Sequence, residues 1–303
     1  MTAADSSTHV VPEREEVTFA SGGDRCAAWH YAPGSGAATG TCVVMAHGFS
    51  LTRHDGLESY AAALAAAGAH VLVFDHRYLG DSGGEPRQRF RRGAQLEDWR
   101  NAIAFARTID GVASERIVLW GYSFSGGHAV TLAAAREDIA ATLVLCPFVD
   151  GLRRALATPP RLTAWIVPRA LADAAGRQTV IPVTGPPGSH AAMPFAGEAE
   201  GFGRAVPDGS PWRNEISPAV FLTVAAIRPV TRAARIACPL WVGLGERDIS
   251  VHGPAVERLA ARAPRGELHR YPADHFDVFL GDLPARIAGD QVAFLVRNGL
   301  LEP

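Results

Sequence analysis

Lysine is missing from this chain of 303 residues, and all 29 of its basic residues are arginine. Without a lysine amine the chain cannot form the Schiff base of an aldolase, anchor pyridoxal phosphate or complete a Walker-A phosphate loop. The formal net charge is only −2, so the sequence offers no excess of positive charge for nucleic acid or an anionic membrane. We therefore expect no nucleic-acid partner.

Long apolar runs and paired cysteines are also missing. No stretch reaches the roughly 20 residues that a membrane-spanning helix requires. Residues 1–16 are polar and lack the apolar core of a signal peptide, so we expect a cytoplasmic protein without a membrane span. The four cysteines lie far apart without a Cys-x-x-Cys pair, which argues against disulfides and metal sites: Cys26, Cys42, Cys146 and Cys238. We expect buried thiols, no metal and no cofactor.

Short apolar runs alternate with alanine-rich stretches along the chain. This alternation predicts an α/β fold with a mostly parallel central sheet flanked by helices, after an antiparallel first pair of strands. The expected strands are 16–20, 26–31, 42–46, 70–75, 116–120, 142–148, 240–244 and 267–271. The expected helices are 57–67, 96–109, one from the Ser123 turn to 135, 253–263 and 283–298.

Proline is concentrated between Pro147 and Pro218, which hold 11 of the 21 prolines. A structureless connection of that length is improbable inside a compact domain. We therefore predict a cap or lid at 149–231, inserted between an N-terminal core part at 1–148 and a C-terminal core part at 232–303. The aromatic residues of this cap could line a substrate pocket or only fasten the cap to the sheet: Trp165, Phe195, Phe202, Trp212 and Phe221.

Residues 117–128 read Ile-Val-Leu-Trp-Gly-Tyr-Ser-Phe-Ser-Gly-Gly-His. An apolar strand that turns sharply into a helix can expose a serine at the sheet edge, and small neighbours let the two backbone segments approach. Ser123 is therefore the candidate nucleophile, with Gly121 and Gly126 as steric requirements. Ser125 stands where the commoner pattern has glycine, which weakens the bare motif match.

A serine nucleophile needs a base and a group that orients the base. His275 is the candidate base because it follows a predicted strand and precedes the last helix. Of its rivals, His269 lies within a strand pattern and His252 follows the candidate acid too closely.

The orienting acid should lie just beyond a strand, between the serine and the histidine in sequence. The run at 240–248 supplies Asp248, a few residues past the strand end, and Glu246 is the alternative. Backbone amides should hold the oxyanion. One should come from Phe124, after the nucleophile, and one from Phe49, in the His47-Gly48-Phe49 turn where the His47 side chain braces the loop.

In this order, the motifs His-Gly-Phe, Gly-x-Ser-x-Ser-Gly-Gly, Gly-Glu-x-Asp and Asp-His-Phe resemble the α/β-hydrolase superfamily. The likeness is to its dienelactone-hydrolase-like and prolyl-oligopeptidase-like branch, and it covers about residues 16–150 and 232–299. The Asp-His-Arg stretch after residue 74 is similar to a loop that braces the family's active site. The resemblance implies Ser123 as nucleophile, Asp248 as orienting acid, His275 as base, and Phe49 with Phe124 as oxyanion donors.

These observations predict a serine hydrolase that cleaves an ester or related acyl bond of a small-molecule substrate through an acyl-enzyme. Thioester, peptide and carbon-carbon bond hydrolysis share the same triad, although the peptidases of this branch carry a propeller for which the chain has no room. A non-catalytic binding protein would typically lack a triad member. Four arginines at 87–92 either contact an anionic substrate, such as a carboxylate or a coenzyme A phosphate, or form a solvated loop.

Overall fold

The computed structural model describes residues 14–34 and 38–303. Eight strands form one sheet in the order β1-β2-β4-β3-β5-β6-β7-β8. The first pair is an antiparallel hairpin, β2 pairs antiparallel with β4, and the other neighbours are parallel. The strands are β1 Arg14–Ser21, β2 Asp24–Tyr31, β3 Cys42–Ala46, β4 His70–Phe74, β5 Ile117–Tyr122, β6 Ala141–Leu145, β7 Leu240–Gly245 and β8 Gly266–Tyr271.

Helices cover both faces of the sheet, so the central strands are apolar along their whole length. Successive side chains of a strand point to opposite faces: Val43 and Met45 join the core beneath α1 and α8, whereas Val44 joins the core beneath α2, α3 and α7. These helices are α1 Glu58–Ala66, α2 Arg92–Ala106, α3 Ser123–Ala133, α7 Gly253–Arg262 and α8 Leu283–Arg297.

Residues 149–231, which we call the inserted segment, lie between β6 and β7. They contain α4 Gly151–Ala157, α5 Pro160–Ala174 and α6 Glu198–Ala205, together with 3₁₀ helices at Pro218–Leu222, Val224–Ala226 and Pro229–Arg235. The buried Asp173 carboxylate fastens α5 to the first 3₁₀ helix by accepting hydrogen bonds from the Ser217 hydroxyl and the Ala219 amide. The segment is thus held by its own side-chain contacts.

None of the helices predicted from the sequence lies in this segment. Proline at the first position of a helix fixes a helical φ and removes an N–H that would lack a partner there. Pro160, Pro218 and Pro229 each stand at the start of a helix or 3₁₀ helix. These three prolines therefore begin helical turns and do not interrupt them.

Several boundaries in the core also differ from prediction by a few residues. The sixth strand ends at Leu145 instead of 148, because Cys146 has a positive φ of 46° that leaves the extended conformation. The second helix starts at Arg92 instead of 96. All four cysteines are free and buried, as predicted. In the described ranges, no helix has both the length and the apolar character to cross a membrane.

Candidate active site

Ser123 stands at the turn where β5 passes directly into α3, and its φ is 51°. The turn leaves no space for side chains at the flanking glycines. A Cβ at Gly121 would lie 2.5 Å from the Ser125 carbonyl oxygen, and one at Gly126 would lie 2.8 Å from Pro147. Real Cβ atoms do not approach so closely, so the two glycines are steric requirements of this turn.

The structure brings Ser123, His275 and Asp248 together in one hydrogen-bonded chain. Ser123 Oγ lies 3.0 Å from His275 Nε2, and His275 Nδ1 lies 2.7 Å from Asp248 Oδ2. A carboxylate only accepts, so Nδ1 carries the proton and donates to Asp248, which leaves Nε2 of the neutral ring to accept from the serine hydroxyl. The side chains of His275 and Asp248 are 2% and 1% exposed, so little water competes for these bonds.

Backbone amides hold the Asp248 carboxylate in place. Its Oδ1 accepts hydrogen bonds from the amides of Ser250 and Val251 at 2.8 and 3.0 Å, which leaves Oδ2 for the histidine. Glu246, the alternative acid, is exposed and forms no hydrogen bond with His275. The structure therefore places Asp248, and not Glu246, beside the ring.

The loop after β8 fixes His275 from the other side. Tyr122 donates a hydrogen bond from its hydroxyl to the His275 carbonyl oxygen at 2.9 Å. The Asp274 carboxylate accepts from the amides of Phe276 and Asp277, both at 2.8 Å. Tyr122 therefore supports the loop that carries His275.

The other candidate histidines lie elsewhere. His269 is on strand β8, where it stacks on Trp241, and His252 precedes the first residue of α7. His47 donates from Nδ1 to the Gly48 carbonyl oxygen at 3.0 Å, and burial lowers its pKa to about 3. The His47 ring therefore stays neutral at pH 7, and its hydrogen bond to Gly48 stabilises the loop after β3.

Phe49 and Phe124 meet beside the serine. Phe124 lies in the first turn of α3, where backbone N–H groups have no acceptor within the helix. Gly48 brings the Phe49 loop against the serine, since a Cβ there would lie 3.0 Å from the Ser123 Cβ. The two phenylalanine rings are 6.0 Å apart. Both predicted oxyanion residues thus border Ser123.

An apolar cavity of about 50 Å³ opens beside Ser123. Four elements of the inserted segment and three loops of the core contribute side chains to its wall: Phe49, Phe124, Phe148, Arg154, Ala192, Met193, Val220, Phe221, Val224 and Ser250. Phe221, one of the aromatics noted in the sequence, lines this cavity. Phe202 and Trp212 instead stack on each other and pack toward Phe276.

Arg154 is the charged residue of that wall, and sequence analysis missed it. Its guanidinium makes two hydrogen bonds to Glu198, at 3.1 and 3.4 Å, and lies 4.4 Å from the centre of the Phe195 ring. Glu198 is fully buried and also accepts from the Phe195 amide and the Ser250 hydroxyl. The pair is neutral as a whole and every carboxylate oxygen has a donor.

A buried carboxylate supports the loops under the site. Asp75 follows β4 and accepts from the amides of Arg53 at 2.7 Å and Asp81 at 3.1 Å. Burial raises its pKa to about 6, against the opposing effect of the Arg53 guanidinium. The carboxylate is therefore ionised at pH 7 and ties the loop after β3 to the loop after β4.

Two groups of side chains in the described residues bring potential metal-ligand atoms within 4.8 Å of one another. The first group is Cys146 with Asp248 and His275. Burial raises the pKa of the Cys146 thiol and so disfavours the thiolate that a metal ion would need, and Asp248 and His275 are hydrogen-bonded to each other. In the second, near Asp81, the Arg53 guanidinium lies 2.9 Å from the carboxylate where a cation would sit. Neither donor set fits a metal ion.

A model of the alpha/beta hydrolase family matches residues 43–290, a range that holds the Ser123 turn, Asp248 and His275. The chain belongs to the α/β-hydrolase family. The fold class, the resemblance to the α/β-hydrolase superfamily and the prediction of an enzyme are thereby confirmed.

Relatives of this α/β hydrolase cover most of its length. It is 34% identical over 287 residues to the quorum-quenching protein AidA of Acinetobacter baumannii, with 93% of this chain and 94% of the relative aligned. It is 31% identical over 186 residues to thiohydrolase aneE of Aspergillus aculeatus, with 60% of this chain and 58% of the relative aligned. The solved structure of the α/β hydrolase GrgF from Penicillium sp. sh18 shares the fold, with a TM-score of 0.81, 24% identity and coverage of 94% and 99%.

Proposed function

We propose that this α/β hydrolase is a serine hydrolase that cleaves an ester or related acyl bond through an acyl-enzyme on Ser123. The observation that supports the proposal best is the hydrogen-bonded chain from Ser123 through His275 to Asp248. A serine hydroxyl is a weak nucleophile on its own, and a base within hydrogen-bond reach removes that limitation.

In this mechanism Ser123 Oγ attacks the carbonyl carbon while its proton passes to His275 Nε2. The imidazolium then gives that proton to the leaving group, and the bond between carbonyl carbon and leaving group breaks. Water repeats both steps on the acyl-enzyme and releases the acid. Asp248 holds the ring in the required tautomer and stabilises its positive charge.

The negative charge that develops on the carbonyl oxygen needs donors fixed before the reaction. We assign this role to the backbone amides of Phe124 and Phe49. The position of Phe124 in the first turn of α3 supports the assignment, because the positive end of the helix dipole adds to the effect of its N–H.

The cavity beside Ser123 suggests a neutral acyl group of modest size. Apart from Arg154 and Ser250 its wall is apolar, and Glu198 already neutralises the Arg154 guanidinium. Because five of its lining residues come from 190–224, we propose that the inserted segment acts as the cap that shapes this cavity. The cavity is narrow, so long acyl chains would require the cap to move.

Thioester hydrolysis is the second candidate. Several relatives of this chain are thiohydrolases, and the triad serves thioesters and oxygen esters alike. The AidA relative is a quorum-quenching protein, so a quorum-sensing signal that contains an acyl bond is a further class of substrate to test.

The test is a series of p-nitrophenyl esters from acetate to palmitate, beside the matching acyl thioesters. We expect wild type to prefer the shorter chains and Ser123→Ala to lose activity by about 10⁴-fold or more in kcat. Ser125→Ala is the matched control, because its hydroxyl lies 3.2 Å from His76 and outside the triad. Equal activity of the Ser123→Ala variant and wild type would refute the proposal, and a strong preference for thioesters would select the second candidate.

A further inference from the structure

A second and larger cavity, of about 540 Å³, lies between α2, α3 and the 3₁₀ helix Pro229–Arg235. It shares no lining residue with the cavity at Ser123. Five of its twelve lining residues are arginines and none is acidic: Arg92, Arg100, Arg136, Arg228 and Arg232. We call this cavity the arginine cleft.

Two of these arginines are neutralised by carboxylates at the border of the cleft. Arg136 lies 2.6 Å from Asp138, and Arg228 lies 3.0 Å from Asp150. The other three, Arg92, Arg100 and Arg232, form no salt bridge with a carboxylate in residues 14–34 or 38–303. The cleft thus holds three positive charges without partners.

Arg92 shows the consequence of this arrangement. Its side chain is half-buried, its Nε is a buried donor without a hydrogen-bond partner, and one terminal nitrogen only approaches the Thr131 hydroxyl at 3.4 Å. Burial lowers the pKa of Arg92, and the charges of Arg232 and Arg100 lower it further. A buried donor and mutual repulsion both destabilise the protein unless an anion enters.

The basic cluster at 87–92 separates in the structure. Arg87 donates to backbone carbonyls of the loop after β4, Arg89 lies over the Tyr78 ring, and Arg91 lies 3.6 Å from Asp173. Only Arg92 of the four lines the cleft. The cluster is therefore not one surface, and the positive site is built from three separate elements of the chain.

We propose that the arginine cleft binds a small organic phosphate. Guanidinium groups match a phosphate with paired, charge-assisted hydrogen bonds. The floor is apolar, formed by Leu96, Leu132 and Pro229, so the ligand carries an apolar body beside its phosphate. The volume lies within the roughly 300 to 1,000 Å³ of small-molecule sites, and the net charge of −2 gives no broad positive field for a nucleic acid.

The cleft is distinct from the acyl site. Both sites nevertheless border α3, since Ser123 begins this helix and Thr131 lies eight positions later, roughly 12 Å along its axis. A ligand in the cleft would therefore rest on the same helix that presents the nucleophile. Binding there is independent of the proposed hydrolase activity and is tested without a substrate.

The experiment is calorimetric titration of the whole protein with phenyl phosphate, inorganic phosphate and phenol. We expect one phenyl phosphate per chain, weaker binding of inorganic phosphate, and no measurable binding of phenol. Arg232→Gln should weaken phenyl phosphate about tenfold, because one charge-assisted contact is lost. Arg92→Gln with Arg232→Gln should weaken it further, and added salt should do the same.

Arg177→Gln is the matched control, since Arg177 is exposed, lies after α5 and lines no part of the cleft. It should leave the affinity unchanged. Because Arg232 is exposed, its substitution should not disturb folding, which thermal unfolding verifies. Absence of phenyl phosphate binding to wild type, or equal loss in the Arg177 and Arg232 variants, would overturn the proposal. So would Arg232-dependent binding of a DNA duplex by a protein that ignores phenyl phosphate.

Discussion

The two cavities that border α3 differ in whether their charged groups have partners. Around Ser123 every charged group has a partner: His275 bonds Asp248, and Arg154 bonds Glu198. In the arginine cleft, three guanidinium groups face one another without an acid. A site that satisfies its own polar groups is rigid before a substrate arrives, as catalysis requires. A site whose charged groups have no partners is stabilised most when an ion of opposite charge binds.

The largest effect on catalytic activity is expected when the hydrogen bond between His275 and Asp248 is broken. In Asp248→Asn the amide no longer forces the proton onto His275 Nδ1, so the ring loses the tautomer that accepts from Ser123, and kcat should fall by about 10⁴-fold. Glu246→Gln, two residues away and exposed, should keep kcat within about twofold of wild type. Steady-state kinetics on the best ester measures both, and equal losses would show that Asp248 has no special role.

Breaking the second pair should affect stability more than chemistry. Glu198→Gln leaves Arg154 as an unpaired charge that is 17% exposed, so the free energy of unfolding should fall by about 3 kcal/mol. The exposed pair of Arg270 with Glu257 offers a control, and Glu257→Gln should cost less than about 1 kcal/mol. Urea unfolding gives both numbers. A Glu198→Gln variant as stable as wild type would mean that the pair is not important for the cap.

Acid should affect a buried group outside both cavities, His47, whose Nε2 lies 3.8 Å from the Asp75 carboxylate. Burial lowers the pKa of His47 to about 3, whereas an unfolded histidine titrates near 6.5. The unfolded chain therefore binds the extra proton between these values, and stability falls as pH falls through that window. From pH 7 to pH 5 this one group should cost about 2 kcal/mol.

Other groups titrate over the same range. Asp75, with a pKa raised to about 6, acts in the opposite sense because the folded state takes up its proton first. The measurement is therefore a comparison of urea unfolding at pH 7 and pH 5 for wild type and His47→Gln. The variant should lose less stability on acidification, and an identical loss in both proteins would contradict a neutral His47.

The smallest effect is expected in the cleft itself. Removing one of three repelling charges in Arg232→Gln should change the free energy of unfolding by no more than about 0.5 kcal/mol, and in the stabilising direction. Thermal unfolding at low salt measures it. Destabilisation well beyond that range would show that Arg232 has a structural partner and would remove the contrast between the two cavities.

The sheet and the triad could be predicted from the sequence because both follow from local patterns. The central parallel strands are mainly apolar, as in Val43 to Met45, and the loops after such strands meet at one edge of the sheet. Ser123, Asp248 and His275 all follow strands, so their order along the chain was enough to group them.

Contacts between distant segments were beyond that reasoning. Arg154 and Glu198 are 44 residues apart on two helices that were not predicted from the sequence. The arginine cleft joins Arg92 with Arg232, from α2 and a 3₁₀ helix. Nothing in either local sequence specifies the other, and only the packing of α2 and the 3₁₀ helix against α3 brings them together.

The most direct test of the central claim is to locate the reactive serine. Wild type, Ser123→Ala and Ser125→Ala are treated with a fluorophosphonate and each modified peptide is sequenced by mass spectrometry. We predict one adduct per chain, on Ser123, in wild type and Ser125→Ala, and none in Ser123→Ala. An unlabelled wild type, or an adduct that persists on another residue in Ser123→Ala, would contradict the assignment of Ser123 as the nucleophile.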